Sequence, residues 1–496
     1  MRGHEMVDWI ADYWERVESL DVLSSDAPGA GLERLPETPP AKGEGDGAWD
    51  SIFEDLGRVS EPGLTHWQHP SFFGYFPCNA SGPAVLGELL SAGRGIQGML
   101  WQTSPIATEL ETRMLDWMRI ALGLPERFAS IGNGGGVIQG TASEATLVAL
   151  LAARQRARAA GTADEKMVVY TSDQAHSSVI KAAMIAGVAQ GTEDRTRVRL
   201  VATNARLELD MGALAEAMQR DVEAGLVPTF VSLTAGTTST GAFDSIAAAC
   251  DACAALEGHV PWVHVDGAWG GVAAICEEHR GWLDGIERAD SVCVNPHKWL
   301  LTNFDCDLFC VADRAALVEA MSITPEYLRN AASDAGAVIA YRDWQVPLGR
   351  RFRALKLWFV LRHYGVEGLS ACIREHCAWA AWLEERVLAD DRFELGAKRS
   401  LSLVCLRLKA GEAATKRLME RVNATGQAFL THTVVPTTAA DGSTEARYVI
   451  RVAIGSTSTR LSHVEALWAL LESHADAAGS GAMSGECDPG GVGSPS

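Results

Sequence analysis

Four short apolar runs constrain this chain more than any other feature. They are MVVYT (167–171), TFVSL (229–233), WVHV (262–265) and SVCV (291–294), and the spacers between them are long enough for helices. β-Branched runs of this length, alternating with helical patterns, predict a parallel, helix-covered sheet of the α/β class. In an open α/β sheet, ligands bind beyond the carboxyl ends of the strands. Here the first run leads to His176, the second to Thr234 and Thr237-Thr238, the third to Asp266, and the fourth to Asn295-Pro296-His297-Lys298. The sheet geometry therefore predicts one site built from four strand ends.

Each ending has its own chemistry. The glycine-rich stretch from Gly132 to Gly140 runs into Thr141-x-x-Glu144 and a long helical pattern, which is a capping-box signature. Free N–H groups and the helix dipole make such a start an anion site. It matches neither the nucleotide loop GxxxxGK[ST] nor the dinucleotide turn GxGxxG, so nucleotide binding loses ground, and the stretch taken alone leaves open a phosphate of another cofactor or an ordinary capped helix after a loop. Eight lysines occur in the chain, and Lys298 is the one between a strand end and the apolar Trp-Leu-Leu. Desolvation there would lower its pKa and free an amine for Schiff-base chemistry. His264 and Asp266 alternate along one strand and share a face. A buried Asp266 needs a partner, and a protonated pyridine nitrogen would serve. The competing reading is a His/carboxylate metal site of His264 and Asp266 with His176 or His297. It leaves Lys298 and the anion site unexplained, so no metal is expected.

The formal net charge of −20 disfavours nucleic-acid and membrane partners. Eleven scattered cysteines and no secretory pattern point to a reduced, cytoplasmic setting, with Cys250-x-x-Cys253 read as buried packing. Residues 4–20 read as an amphipathic helix, followed by a loose Pro/Gly/acidic stretch over 26–48, so the helix is expected to dock on another domain or subunit. The expected organisation is an N-terminal helical segment over 1–80, a large site-bearing domain over 81–355, a small α+β domain over 356–475 and a disordered Gly/Ser-rich tail over 476–496.

The motifs together resemble the group II pyridoxal-phosphate decarboxylases, in particular the aromatic-L-amino-acid decarboxylases. The resemblance runs from HEMVDWIADYW (4–14) and GLTHWQHPSFFGYFP (63–77) through SPIATELETRMLDW (104–117), GGGVIQGTASEATLVALLAAR (134–154) and QAHSSVIKA (174–182). It continues in AGTTSTGAFD (235–244), WVHVDGAWGG (262–271), NPHKWLLTNFDCDLF (295–309) and WQVPLGRRFRALKLWFVLR (344–362). The family implies an aspartate-aminotransferase-like fold (fold type I), a pyridoxal 5'-phosphate cofactor and a homodimer clasped by the N-terminal segment. It implies that Lys298 binds the cofactor covalently, Asp266 pairs with the pyridine nitrogen and His176 stacks on the ring. Ala142 and Ser143 would grip the phosphate with help from Asn295 and His297, and Thr238 and Ala268 would sit beside the ring. Leu348 and Gly349 would reach the phosphate from a second subunit.

Tyr327, in ITPEYLRN, matches the family's proton-donating tyrosine, and plant relatives with phenylalanine there make aldehydes. The resemblance thus implies decarboxylation of an aromatic L-amino acid (tryptophan, phenylalanine, tyrosine, DOPA or 5-hydroxytryptophan) to its amine. The alternatives are a decarboxylating aldehyde synthase and a decarboxylase of a non-aromatic amino acid. Trp67, Tyr75, Phe76, Pro77 and Met99 match the family's aromatic pocket. Met99, Gln97 and Cys78 depart from the residues of animal relatives, and HVDGAWGG departs from the commoner HVDAAYAG; these changes leave the preferred ring open. Gly349 is the small residue of indole-accepting members.

Overall fold

The computed structural model describes residues 2–43, 45–323, 338–438 and 444–479. Among them seven strands form the large sheet: β1 (Gly135–Gln139), β2 (Met167–Ser172), β3 (Val198–Val201), β4 (Val227–Thr234), β5 (Trp262–Asp266), β6 (Ser291–Val294) and β7 (Asp307–Val311). Their order is β1-β7-β6-β5-β4-β2-β3. The pairs from β3 to β6 are parallel, as the β-branched runs predict, and β7 is antiparallel to both β6 and β1. The reversal has a simple cause. Only a short link carrying the helix Pro296–Trp299 joins β6 to β7, and a parallel partner would need a full crossover. β1, β2, β5, β6 and β7 are buried along their whole length, which explains why they read as continuous apolar runs.

A second, antiparallel sheet joins β8 (Phe393–Ser400), β9 (Leu403–Leu408), β10 (Thr431–Thr438) and β11 (Thr444–Ala453) in the order β10-β11-β9-β8. It has its own core, in which Leu406, Leu418, Ile450 and Leu467 are buried. The helix Arg353–Ala389 links the two halves and breaks at Gly365, whose φ of 65° suits a residue without a Cβ. The last helix runs Leu461–Gly479, four residues into the stretch that composition assigns to the tail. Its end, HADAAG, is rich in alanine, the best helix former.

At the other end, the helix Arg2–Arg16 buries none of its residues in this chain. The segment after it does dock. Phe72 bridges to Phe429, Phe73 N–H donates to the Phe429 carbonyl at 3.0 Å, and Ala453 N–H donates to the Phe73 carbonyl at 3.0 Å. Phe73 is thereby part of the small domain's core, and Phe76 is carried to the seam between the two sheets. Gly74 is obligatory on this path, since a Cβ there would lie 2.6 Å from the Phe429 ring.

Candidate active site

A cavity of about 220 Å³ opens at the carboxyl ends of β4, β5 and β6. Its walls include His176, Thr238, Asp266, Ala268, Asn295, His297 and Lys298, together with Ala142, Ser143 and Phe76. Residues spread over more than two hundred positions of sequence are thus brought to one place by the strand ends.

Lys298 stands on the one-turn helix Pro296–Trp299, whose start suits proline because its N–H would be unpaired there anyway. The turn is held from outside: Asn79 Nδ2 donates to the Lys298 carbonyl at 2.7 Å and to the Gly455 carbonyl at 3.1 Å. The amine lies 5.5 Å from the centre of the Phe76 ring. Burial lowers its pKa, and Asp266 opposes the shift without cancelling it. A lowered pKa enlarges the fraction of neutral, nucleophilic amine.

Asp266 closes β5 and is 6% exposed. Its Oδ1 accepts the Ala268 N–H at 3.0 Å, while Oδ2 accepts no bond from the described residues. His264, two residues earlier, is fully buried, hydrogen-bonded through Nδ1 to Ser291 Oγ at 2.9 Å and stacked near Phe230. Burial pushes its pKa down to about 4, so it packs as a neutral ring. Among the described residues no group of His, Cys, Asp and Glu could hold a metal ion.

His176 follows β2, and its Nδ1 accepts the Ser178 N–H at 3.1 Å. That bond fixes the proton of the neutral ring on Nε2. Partial burial lowers the His176 pKa and Lys298 adds to the shift, with Asp266 opposing. His297 is locked to the Cys306 carbonyl at 2.8 Å, and burial takes its pKa down to about 4.

The helix Ala142–Ala159 starts at this cavity without the expected capping box. Thr141 makes no side-chain cap bond, and Glu144 Oε2 accepts the Gly140 N–H at 3.2 Å instead of that of Thr141. The first turn therefore offers its N–H groups to whatever enters the cavity, a stronger anion site than the capped helix would be.

Some predicted residues lie elsewhere. Trp67, Tyr75, Pro77 and Met99 do not line this cavity, and neither do this chain's own Leu348 and Gly349, which are expected from a second subunit. Trp67 stacks on Phe72 and Tyr75, with Tyr75 54% exposed. Gln97 does not act as a free polar wall either: its Oε1 accepts the Arg350 N–H at 2.6 Å, which fixes the turn carrying Leu348 and Gly349. Tyr327 lies outside the described residues.

Two further wall residues were not placed in the site by the sequence, Trp269 having been noted only as the tryptophan of HVDGAWGG. Trp269 stacks at 4.4 Å on Phe76 and at 5.3 Å on Trp299, and Phe304 closes the cavity beside His297. Behind the wall rather than in it, Arg451, buried on β11, lies 5.0 Å from the Phe76 ring centre and donates to the Ser239 carbonyl at 2.9 Å. An arginine inside the apolar run YVIRVAI was the available signal for it.

Comparison with known proteins gives the geometry its family. The pyridoxal-dependent decarboxylase conserved domain matches residues 28–409. Tryptophan decarboxylase 2 of Oryza sativa subsp. japonica is 44% identical over 482 residues, covering 95% of this chain and 93% of the relative. Phenylacetaldehyde synthase of Arabidopsis thaliana is 45% identical over 482 residues, covering 95% of both chains. The crystal structure of Oryza sativa TDC with PLP and tryptamine superposes with a TM-score of 0.89 at 42% identity, covering 96% of this chain and 97% of that one. With an amine, a carboxylate and an open helix start converging on one cavity, the chain belongs to the pyridoxal-dependent decarboxylases, and its cofactor is pyridoxal phosphate.

Proposed function

We propose that this chain converts aromatic L-amino acids to their amines and CO₂, with the cofactor held through Lys298. The observation that carries the reading is the convergence of the Lys298 amine, the free Oδ2 of Asp266 and the uncapped helix start at Ala142–Ser143 on one cavity. These three groups fit the aldehyde, the pyridine nitrogen and the phosphate of pyridoxal phosphate. When bound, the cofactor supplies a ring that takes up the electron pair left as the Cα–carboxylate bond breaks.

The chain's own residues orient and hold charge. Asp266 would pair with the ring nitrogen. Ala142 and Ser143 would hold the phosphate, assisted by Asn295 and His297. His176, with its proton on Nε2, would stack on the ring, and Thr238 and Ala268 would sit beside it. These residues would hold the cofactor in one orientation, so that the substrate is presented to it in one pose. Phe76 and Trp269 supply aromatic surface for an aromatic side chain.

The cavity of about 220 Å³ is smaller than the roughly 300–1,000 Å³ usual for ligand sites. It suits a cofactor and leaves little room for an aromatic amino acid. A homodimer would complete it, with Leu348 and Gly349 arriving from the second subunit and the unburied helix Arg2–Arg16 clasping the pair. Lys298→Ala and Gly349→Trp, each inactive alone, should then complement on mixing and refolding, restoring about a quarter of wild-type activity through one intact site in each mixed dimer. No recovery would contradict a shared site. Among the described residues no helix is long and apolar enough to cross a membrane, and the free cysteines there suit a reducing, cytoplasmic setting.

Tyr327 is assigned the return of a proton to Cα. Tyr327→Phe should divert product from amine to aldehyde, with dioxygen consumed and hydrogen peroxide and ammonia released. An unchanged product ratio would remove Tyr327 from that role. The aldehyde reading of the unaltered chain draws on the 45% identity to an aldehyde synthase, and Tyr327 weighs against it.

A further inference from the structure

Among the buried acids that the mechanism does not use, Asp307 stands apart. Asp307 begins β7 with no solvent exposure, and neither carboxylate oxygen has a hydrogen-bond partner among the described residues. A protein interior does not keep an ionised carboxylate without donors; the group takes up a proton instead. The surroundings push the same way. Burial raises its pKa well above the usual carboxylate range, and Asp266 and Glu144 add to the rise. Lys298 and Arg353 oppose it, but Arg353 is engaged by Asp305 at 3.0 Å through both Nε and Nη2. The neighbouring thiols Cys293, Cys306 and Cys310 are themselves shifted upward and stay protonated.

Opposite Asp307 in the β1–β7 ladder is Gln139, also fully buried. Residues paired in an antiparallel ladder project on the same face, with Cβ atoms about 5 Å apart. Gln139 Nε2 donates to the Trp344 carbonyl at 3.2 Å, and its Oε1 has no partner among the described residues. Flipping the amide is no remedy, because it would set one carbonyl oxygen against another. A buried acceptor without a donor thus faces a buried acid without a partner.

We propose that Asp307 is a positioning residue carried as the neutral carboxylic acid, its proton donated to the side-chain carbonyl of Gln139. The relay from Asp307 through Gln139 to the Trp344 carbonyl ties the sheet under the cavity to the turn bearing Leu348 and Gly349. Its effect on the cofactor rests on the function proposed above. With Asp307 neutral, it adds no second carboxylate charge beside Asp266.

The test is an infrared difference spectrum between the holoenzyme and its Asp307→Asn variant at neutral pH. The expected result is the carbonyl stretch of a protonated, hydrogen-bonded acid, which moves on deuterium exchange and shifts to higher frequency in Gln139→Leu. Because the same band is read on apoprotein, failure of the Lys298 assignment would leave it in place. Cofactor retention supplies a second readout. Asp307→Leu should weaken it on the order of tenfold, and Asp307→Asn, whose amide donates the same bond, should stay within about twofold of wild type. Carboxylate stretches alone, an unmoved band in Gln139→Leu, or Asp307→Asn as weak as Asp307→Leu would overturn the proposal.

Discussion

Replacing Lys298 with alanine is expected to reduce CO₂ release to the uncatalysed background while the protein still folds. The amine is the one nucleophile in the cavity aimed at by all the supporting geometry: a proline-started turn, the Asn79 clamp on its carbonyl, and the Phe76 ring beneath it. The fold should tolerate its loss, because burial works against the charged lysine. A base whose folded pKa lies below its unfolded value leaves the unfolded chain holding more protons. Stability therefore rises with pH between the two values, and the destabilisation is fully present below the lowered pKa. Apoprotein of Lys298→Ala should accordingly melt no lower than wild-type apoprotein at neutral pH. Hydride reduction should trap the cofactor on the peptide containing Lys298 in wild type and leave no such adduct in the variant. Retained turnover, or a trapped cofactor on another lysine, would refute the assignment.

The second large effect is expected at Asp266. Asp266→Asn keeps an oxygen for the Ala268 N–H and so preserves the turn after β5, while removing the charge that faces the cavity. Losing one preorganised electrostatic partner of a developing charge lowers kcat on the order of 10²–10³-fold. The cofactor should remain attached through Lys298, separating this variant from one that merely fails to bind it. A loss in kcat below about tenfold would mean that the Asp266 charge is not a main support of the electron sink.

These residues were legible in the sequence because each lies within a few positions of a strand end, so that one-dimensional spacing carries three-dimensional meaning. Asp266 ends WVHVD, and Lys298 follows SVCV by one short turn. The capping box was misread for the opposite reason. Thr141 and Glu144 have the right spacing, but Glu144 reaches back to Gly140 and leaves the helix start open for an anion. The reversal of β7 depends on how short the link from β6 is once folded, which apolar patterning does not encode.

Long-range supports such as Asn79, which spans from the Lys298 turn to Gly455, have no local signature at all. Gln97 read as a change in the substrate pocket and proves to hold Arg350 N–H. Asp307 was visible as an acid within the apolar run CDLFCV; its significance emerged only with its ladder partner Gln139.

The most direct test of the account is a product assay with pyridoxal phosphate and L-tryptophan, phenylalanine, tyrosine, DOPA, 5-hydroxytryptophan, glutamate and valine, quantifying amine, aldehyde and CO₂ together. Aromatic substrates should give amine and CO₂ in equal amounts, with glutamate and valine inert. Amine from glutamate or valine, or aldehyde as the main product from the aromatic set, would contradict it.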